Sequence, residues 1–225
     1  NVSGMKRMKK VGLFLIVFAI IILAACRSND DNASNQSDVE KINIVTTISQ
    51  IGEPLSVIGG ERVNVESLMG PSVDPHLYNA TQSDIEKIDQ ANLVFYNGLN
   101  LEANMVEIFK EISQSKPVLA VGETLSEDVL LKDEDGAVDP HIWFDLDLWQ
   151  QALDAAIEVL KEYSPDDVDY FEENKQMYWS ELGNVKQEAK KLADIPKDKR
   201  ILVTAHDAFG YFGKMHDMEV VGLQG

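Results

Sequence analysis

From Asp166 to about Leu192 the chain runs without a proline and with one glycine, Gly183. Ser164-Pro165-Asp166-Asp167 precedes this run: a hydroxyl suited to an N-cap, a proline for the first turn, and acids near the positive end of the helix dipole. Pro196 closes it. At 1.5 Å per residue the segment is a rod of roughly 40 Å. The average globular helix has about 11–12 residues, so a rod this long is out of scale with a single small domain. It divides the chain, and folded units are expected on both sides of it.

On its N-terminal side, strand-like and helix-like runs alternate. Ile42 to Ile48 is rich in β-branched residues, Gln50 to Ile58 reads as a helix closed by Gly59-Gly60, and Val63 to Met69 reads as a second strand. Asp84 to Gln90 suits a helix, Asn92 to Tyr96 a strand, Leu101 to Ser113 an amphipathic helix and Pro117 to Val121 a fourth strand. Leu146 to Tyr163 places Leu146, Trp149, Leu153, Ala156, Ile157 and Leu160 at helical spacing. The rhythm predicts an α/β lobe with a mainly parallel sheet over 41–165, a connecting helix over 166–196, and the start of a second α/β lobe over 197–225. The last unit holds a strand at Arg200 to Thr204, one helix and a strand from Glu219. It reads as a truncated lobe, from a shortened reading frame or partial sequence. Apolar surface is therefore expected near Ile201 to Val203 and Val220 to Leu223.

The first 40 residues have a different character. Lys6, Arg7, Lys9 and Lys10 precede an apolar run from Val11 to Ala25, which falls short of the roughly 20 residues of a comfortable membrane span. A basic start, a short apolar stretch and small residues at its end describe an export signal over 1–25, with translation starting at Met5 or Met8. Leu23-Ala24-Ala25-Cys26 resembles a bacterial lipobox, and Cys26 is the one cysteine in the chain, so it has no internal disulfide partner. A lipidated Cys26 would hold the mature protein to the extracytoplasmic face of the cell membrane. The polar stretch that follows, through Glu40, reads as a flexible tether. The net charge of −18 excludes a nucleic-acid partner, which needs basic surface to displace counterions, and mildly favours the approach of cations.

Three of the four histidines share a setting: Asp74-Pro75-His76, Asp139-Pro140-His141, and His206 directly after the strand run Ile201 to Thr204. Ligands of open α/β sheets bind beyond the carboxyl ends of strands. Proline fixes its own φ and restricts the residue before it, so each Asp-Pro-His presents its imidazole on a stiff turn. Neutral imidazole suits zinc and other first-row metals, and His76, His141 and His206 are the candidate ligands. His216, in Lys214-Met215-His216-Asp217, lacks that setting and reads as an exposed helix-end residue.

With IVTTISQIGEPLSVIGG, DPHLYNATQSDIEKIDQANLVFYNGLNLE, DPHIWFDL, ILVTAHDAFGYF and EVVGLQG in this order, the chain from about Lys41 to Gly225 resembles the metal-binding solute-binding lipoproteins of ABC importers, the manganese and zinc receptors. The resemblance implies two α/β lobes joined by one long helix, with a transported metal between them. It also implies a membrane permease and its ATPase as partners, a monomer, and no enzymatic activity. The family's ligands fall on His76, His141 and His206; its fourth, an Asp late in the second lobe, lies past Gly225. Zinc-dedicated members often carry a His-rich loop before the second Asp-Pro-His, whereas Ser126 to Val138 holds no His, which leans toward manganese. His206 stands where strict manganese members tend to have Glu, and an all-imidazole trio would also hold zinc tightly. Two rivals are a zinc hydrolase, for which no H-E-x-x-H occurs, and a surface adhesin, which the tether suits.

Overall fold

The computed structural model describes residues 40–224 apart from Glu134; the expected export signal, Cys26 and the tether before Glu40 lie outside the described residues. Four strands, β1 (Ile42–Thr46), β2 (Val63–Ser67), β3 (Leu93–Tyr96) and β4 (Val118–Ala120), form one parallel sheet in the order β2-β1-β3-β4. In β1, Ile44 pairs with Val65 on one side and Leu93 on the other, and Thr46 with Ser67 and Phe95. A central parallel strand is covered on both faces, and Ile42, Ile44, Val45 and Thr46 are all buried.

The crossovers are α1 (Ser49–Gly59), α2 (Gln82–Gln90) and α3 (Val106–Ile112). Gly60, at φ +51, ends α1 in a backbone conformation that side chains resist. α2 begins at a capping box: the Asp84 amide donates to Thr81 Oγ1, and the Thr81 amide donates to Asp84 Oδ2 at 2.8 Å. α3 is shorter than the expected Leu101–Ser113 helix. Its first residues are diverted by Glu102, a buried carboxylate that accepts from Thr47 Oγ1 (2.6 Å) and the amides of Asn97 (2.8 Å) and Gly98 (3.0 Å). Those bonds tie the turn after β3 to the end of β1, and a 3-10 turn, Ala103–Met105, fills the place of the missing helical turn.

α4 (Leu146–Tyr163) matches the expected span and buries Leu148, Trp149, Ala152, Leu153, Ala156, Ile157 and Leu160, one apolar stripe at helical spacing. Asp145 caps it, accepting from the Asp147 and Leu148 amides. α5 (Val168–Ala189) is the long connector, with 3-10 turns at Pro165–Asp167 and Lys190–Asp194. Ser164 does not cap it as expected. Its hydroxyl donates to the Asp167 carboxylate at 2.7 Å instead of accepting from the backbone, because the entry is a 3-10 turn closed by the Asp167 amide on the Ser164 carbonyl. Phe171 is the residue α5 buries fully, and Asn174 Nδ2 donates to the Ile58 carbonyl at the end of α1.

Beyond the connector, β5 (Ile201–His206), α6 (Gly210–His216) and β6 (Glu219–Gln224) form a parallel strand pair with its crossover helix. Ile201, Val203, Val221 and Leu223 are exposed, as expected for this unit. Among the described residues no helix is long and apolar enough to cross a membrane.

Leu153→Ala, which empties a fully buried position in α4, is expected to lower unfolding free energy by about 2–5 kcal/mol, read as a lower urea midpoint at unchanged slope. Thr81→Ala removes the side-chain half of the α2 cap and is expected to lose about 1 kcal/mol in the same titration.

Candidate metal centre

The two Asp-Pro-His triplets fold the same way. Asp74 Oδ1 accepts the His76 amide at 2.9 Å, and Asp139 Oδ1 accepts the His141 amide at 3.0 Å. An Asp that bonds the amide two residues on makes a turn of its own, and the intervening proline stiffens it. The triplet is thus a small rigid bracket with an imidazole at its end.

The first bracket sits in the loop after β2. Leu68 and Met69 continue the ladder past the strand by donating to the Thr46 and Thr47 carbonyls, and Met69 is buried. The far end of the loop is held where the Tyr78 hydroxyl donates to Asp84 Oδ2 at 2.6 Å. The second bracket follows a small antiparallel turn in which Lys132 bridges Val138 and the Asp139 amide donates to the Leu131 carbonyl at 2.9 Å. Asn97, just past β3, donates from Nδ2 to the Pro140 carbonyl at 3.0 Å. His206 is the last residue of β5, which runs two residues beyond the expected strand end at Thr204, and it pairs with Gln224.

These three imidazoles, the sequence-predicted candidates, meet. His76 Nε2 lies 3.1 Å and His206 Nε2 3.2 Å from His141 Nε2. Among the described residues they form a His/Cys/Asp/Glu group whose ligand atoms all lie within 4.8 Å of one another. A metal about 2.0–2.1 Å from each of two nitrogens at the tetrahedral angle would set them roughly 3.3–3.4 Å apart, so two edges of the triangle are within a few tenths of an ångström of that spacing. Burial runs from His141, buried, through His76, half-buried, to His206, exposed.

Electrostatics favour the state that can bind. Asp139 Oδ1 also lies 2.7 Å from His141 Nδ1. A carboxylate there accepts the Nδ1 proton, which leaves the Nε2 lone pair free and aimed at the other two rings. Burial, then the neighbouring His141 and His206, hold the His76 pKa below its ordinary 6.5, outweighing Asp74 and Asp139. A cavity of about 590 Å³, lined by Met69, Trp143 and Phe144 among others, and a cleft of about 770 Å³ with Asp74, Asp139 and Asp207 both border the rings.

His216 stays out of the cluster. It is half-buried rather than exposed, because its ring lies 4.4 Å from that of Phe212 at the end of α6. Two further residues support the site with no sign of it in the sequence. Asn97 and Tyr211 both lie in the family-like motifs, Asn97 just past a strand, with nothing in the residues themselves to mark a role. Tyr211 is 1% exposed, and its hydroxyl donates to the Asp139 carbonyl at 2.9 Å and accepts the Leu131 amide at 3.1 Å. Burial pushes this phenol up to about 12, so it remains a neutral donor across the physiological range.

Comparison with known proteins agrees with this picture. A family model described as zinc-uptake complex component A periplasmic matches residues 44–225. The manganese-binding lipoprotein MntA of Bacillus subtilis is 39% identical over 93% of this chain and 68% of its own length. The zinc-binding protein TroA of Treponema pallidum is 42% identical over 81% of this chain and 59% of its own. The solved structure of periplasmic zinc binding protein TroA from Treponema pallidum shares the fold with a TM-score of 0.80 at 41% identity, over 82% of this chain and 67% of that one. The chain thus spans about two thirds of the relatives it matches, and the fold is the expected α/β architecture with a parallel sheet and a long connecting helix. On matches of this extent in sequence and fold, the chain belongs to the zinc-uptake complex component A periplasmic family.

Proposed function

We propose that this chain is the extracytoplasmic receptor of an ABC importer for a divalent first-row metal, with His76, His141 and His206 as its protein ligands. The observation that carries this reading is the convergence of three Nε2 atoms from segments far apart in sequence. Neutral imidazoles bind a cation without chemistry, and the relatives named for metal binding support capture and delivery over catalysis. His141 is the central ligand, and Asp139 orients it from behind. The cargo is manganese or zinc. The Ser126 to Val138 loop without His favours manganese, and imidazole donors, which bind zinc more tightly by the usual order of affinities, keep zinc a close second. Lipid on Cys26 would tether the receptor, as a monomer, beside a permease and its ATPase.

Native mass spectrometry with elemental analysis is expected to find one metal ion per chain. His141→Ala is expected to abolish it, and Asp139→Asn to weaken affinity by about 10–100-fold; full occupancy of the His141→Ala protein would refute the assignment. Since an imidazole must be neutral to ligate, and His76 is held below 6.5, affinity is expected to be flat near neutrality. Below the lowered pKa of His76 it should fall by about tenfold per pH unit as that ring protonates. Calorimetric titration at pH 7.5 and pH 5 checks the sign: equal affinities at both would argue against histidine ligation.

A further inference from the structure

Resting on the three-imidazole reading, we propose that Gly210-Tyr211 is a latch that sets the distance between His141 and His206, with Tyr211 as a positioning residue for metal binding. His206 ends β5, and α6 begins four residues later at Gly210. The first two residues of α6 are seated on the bracket that carries His141. The Tyr211 hydroxyl donates to the Asp139 carbonyl at 2.9 Å and accepts the Leu131 amide at 3.1 Å, so one buried phenol grips both sides of the turn leading into His141. Gly210 makes that seating possible. A Cβ there would stand 2.8 Å from Asp139 Oδ2, and Asp139 is not free to swing away, because its other oxygen holds both the amide and Nδ1 of His141.

A side chain elsewhere in the core would fill space and do no more. Tyr211 differs because its two polar contacts join the segment bearing one ligand to the segment bearing another. The 3.2 Å separation of His141 Nε2 and His206 Nε2 has three supports: the β5 backbone, the Asp139 bracket, and this bridge between them. On the far side of the bracket, Asn97 fixes Pro140 to the first sheet, so His141 is anchored to that sheet and α6 is anchored to His141. The latch is therefore read out by His206, not by His76.

The test is a double-mutant cycle with Co²⁺ as the probe, following its visible absorption in the full chain. Tyr211→Phe keeps the ring and removes the hydroxyl. It is expected to weaken Co²⁺ binding by about 10–100-fold, the range for groups that orient metal ligands, and to alter the visible spectrum. In the His206→Ala background the same change is expected to matter less than about twofold, because no His206 remains to be placed. Gly210→Ala, whose Cβ would press on the fixed Asp139 carboxylate and lift the start of α6 from the bracket, is expected to repeat the pattern and serves if the Phe variant does not fold. Wild-type affinity and spectrum in a folded Tyr211→Phe protein would overturn the latch. So would equal weakening in both backgrounds, which is the mark of a merely structural residue. Failure of the underlying site looks different: the wild type would bind no Co²⁺, or His141→Ala would bind it undiminished.

Discussion

Two imidazole nitrogens held within hydrogen-bonding distance of a third impose the condition on which the rest of this molecule depends: the rings must stay neutral and stay put. Neutrality comes from burial and from crowding by like groups, both of which lower the pKa of His76. Position comes from hydrogen bonds to backbone atoms near the ligands. The Asp-Pro-His bracket that carries His141 answers the second need. Its carboxylate closes a turn through the His141 amide and selects the ring tautomer through Nδ1, so one side chain fixes where His141 is and which nitrogen it offers.

The α/β fold supplies the meeting point. In a parallel sheet all carboxyl ends lie on one edge, and the loops that leave β2 and β3 emerge there together. The first carries His76 and the second carries Asn97, which reaches across to the Pro140 carbonyl beside His141. Beneath them the buried Glu102 ties the turn after β3 to Thr47 at the end of β1. Burial penalises that carboxylate and raises its pKa, while three donated hydrogen bonds offset part of the penalty. The base of the site is thus rigid for reasons unrelated to metal.

Much of this is legible in the sequence, and the parts that are not share a cause. α4 is readable in its span because its apolar stripe is regular. The three converging histidines are readable because proline and strand ends leave a local trace. α3 falls short of its expected length because a buried carboxylate captures the residues before it, a tertiary contact that no helical periodicity records. Ser164 departs from its expected cap because a hydroxyl at a helix start has two uses, and local geometry chose the side-chain partner. Asn97 and Tyr211 leave no trace because both grip main-chain carbonyls, 43 and 72 residues away. Every residue has a carbonyl, so such a partner leaves no mark on the amino-acid sequence.

The connector α5 buries Phe171 near its beginning, and further along it relies on contacts such as the exposed Lys186–Asp147 ion pair. Mechanically it is a beam clamped over its first half, where Phe171, Tyr178 and Trp179 meet the core. With about 1.5 Å of rise per residue beyond Trp179, a bend of roughly 5° would carry the Ala189 end about 1 Å sideways. A coordination sphere tolerates only a small fraction of that. The stiffness that lets one helix bridge two folded parts therefore magnifies any looseness at its root, and an ion gripped from both sides would act as a strut that steadies the far end alongside the Tyr211 contacts.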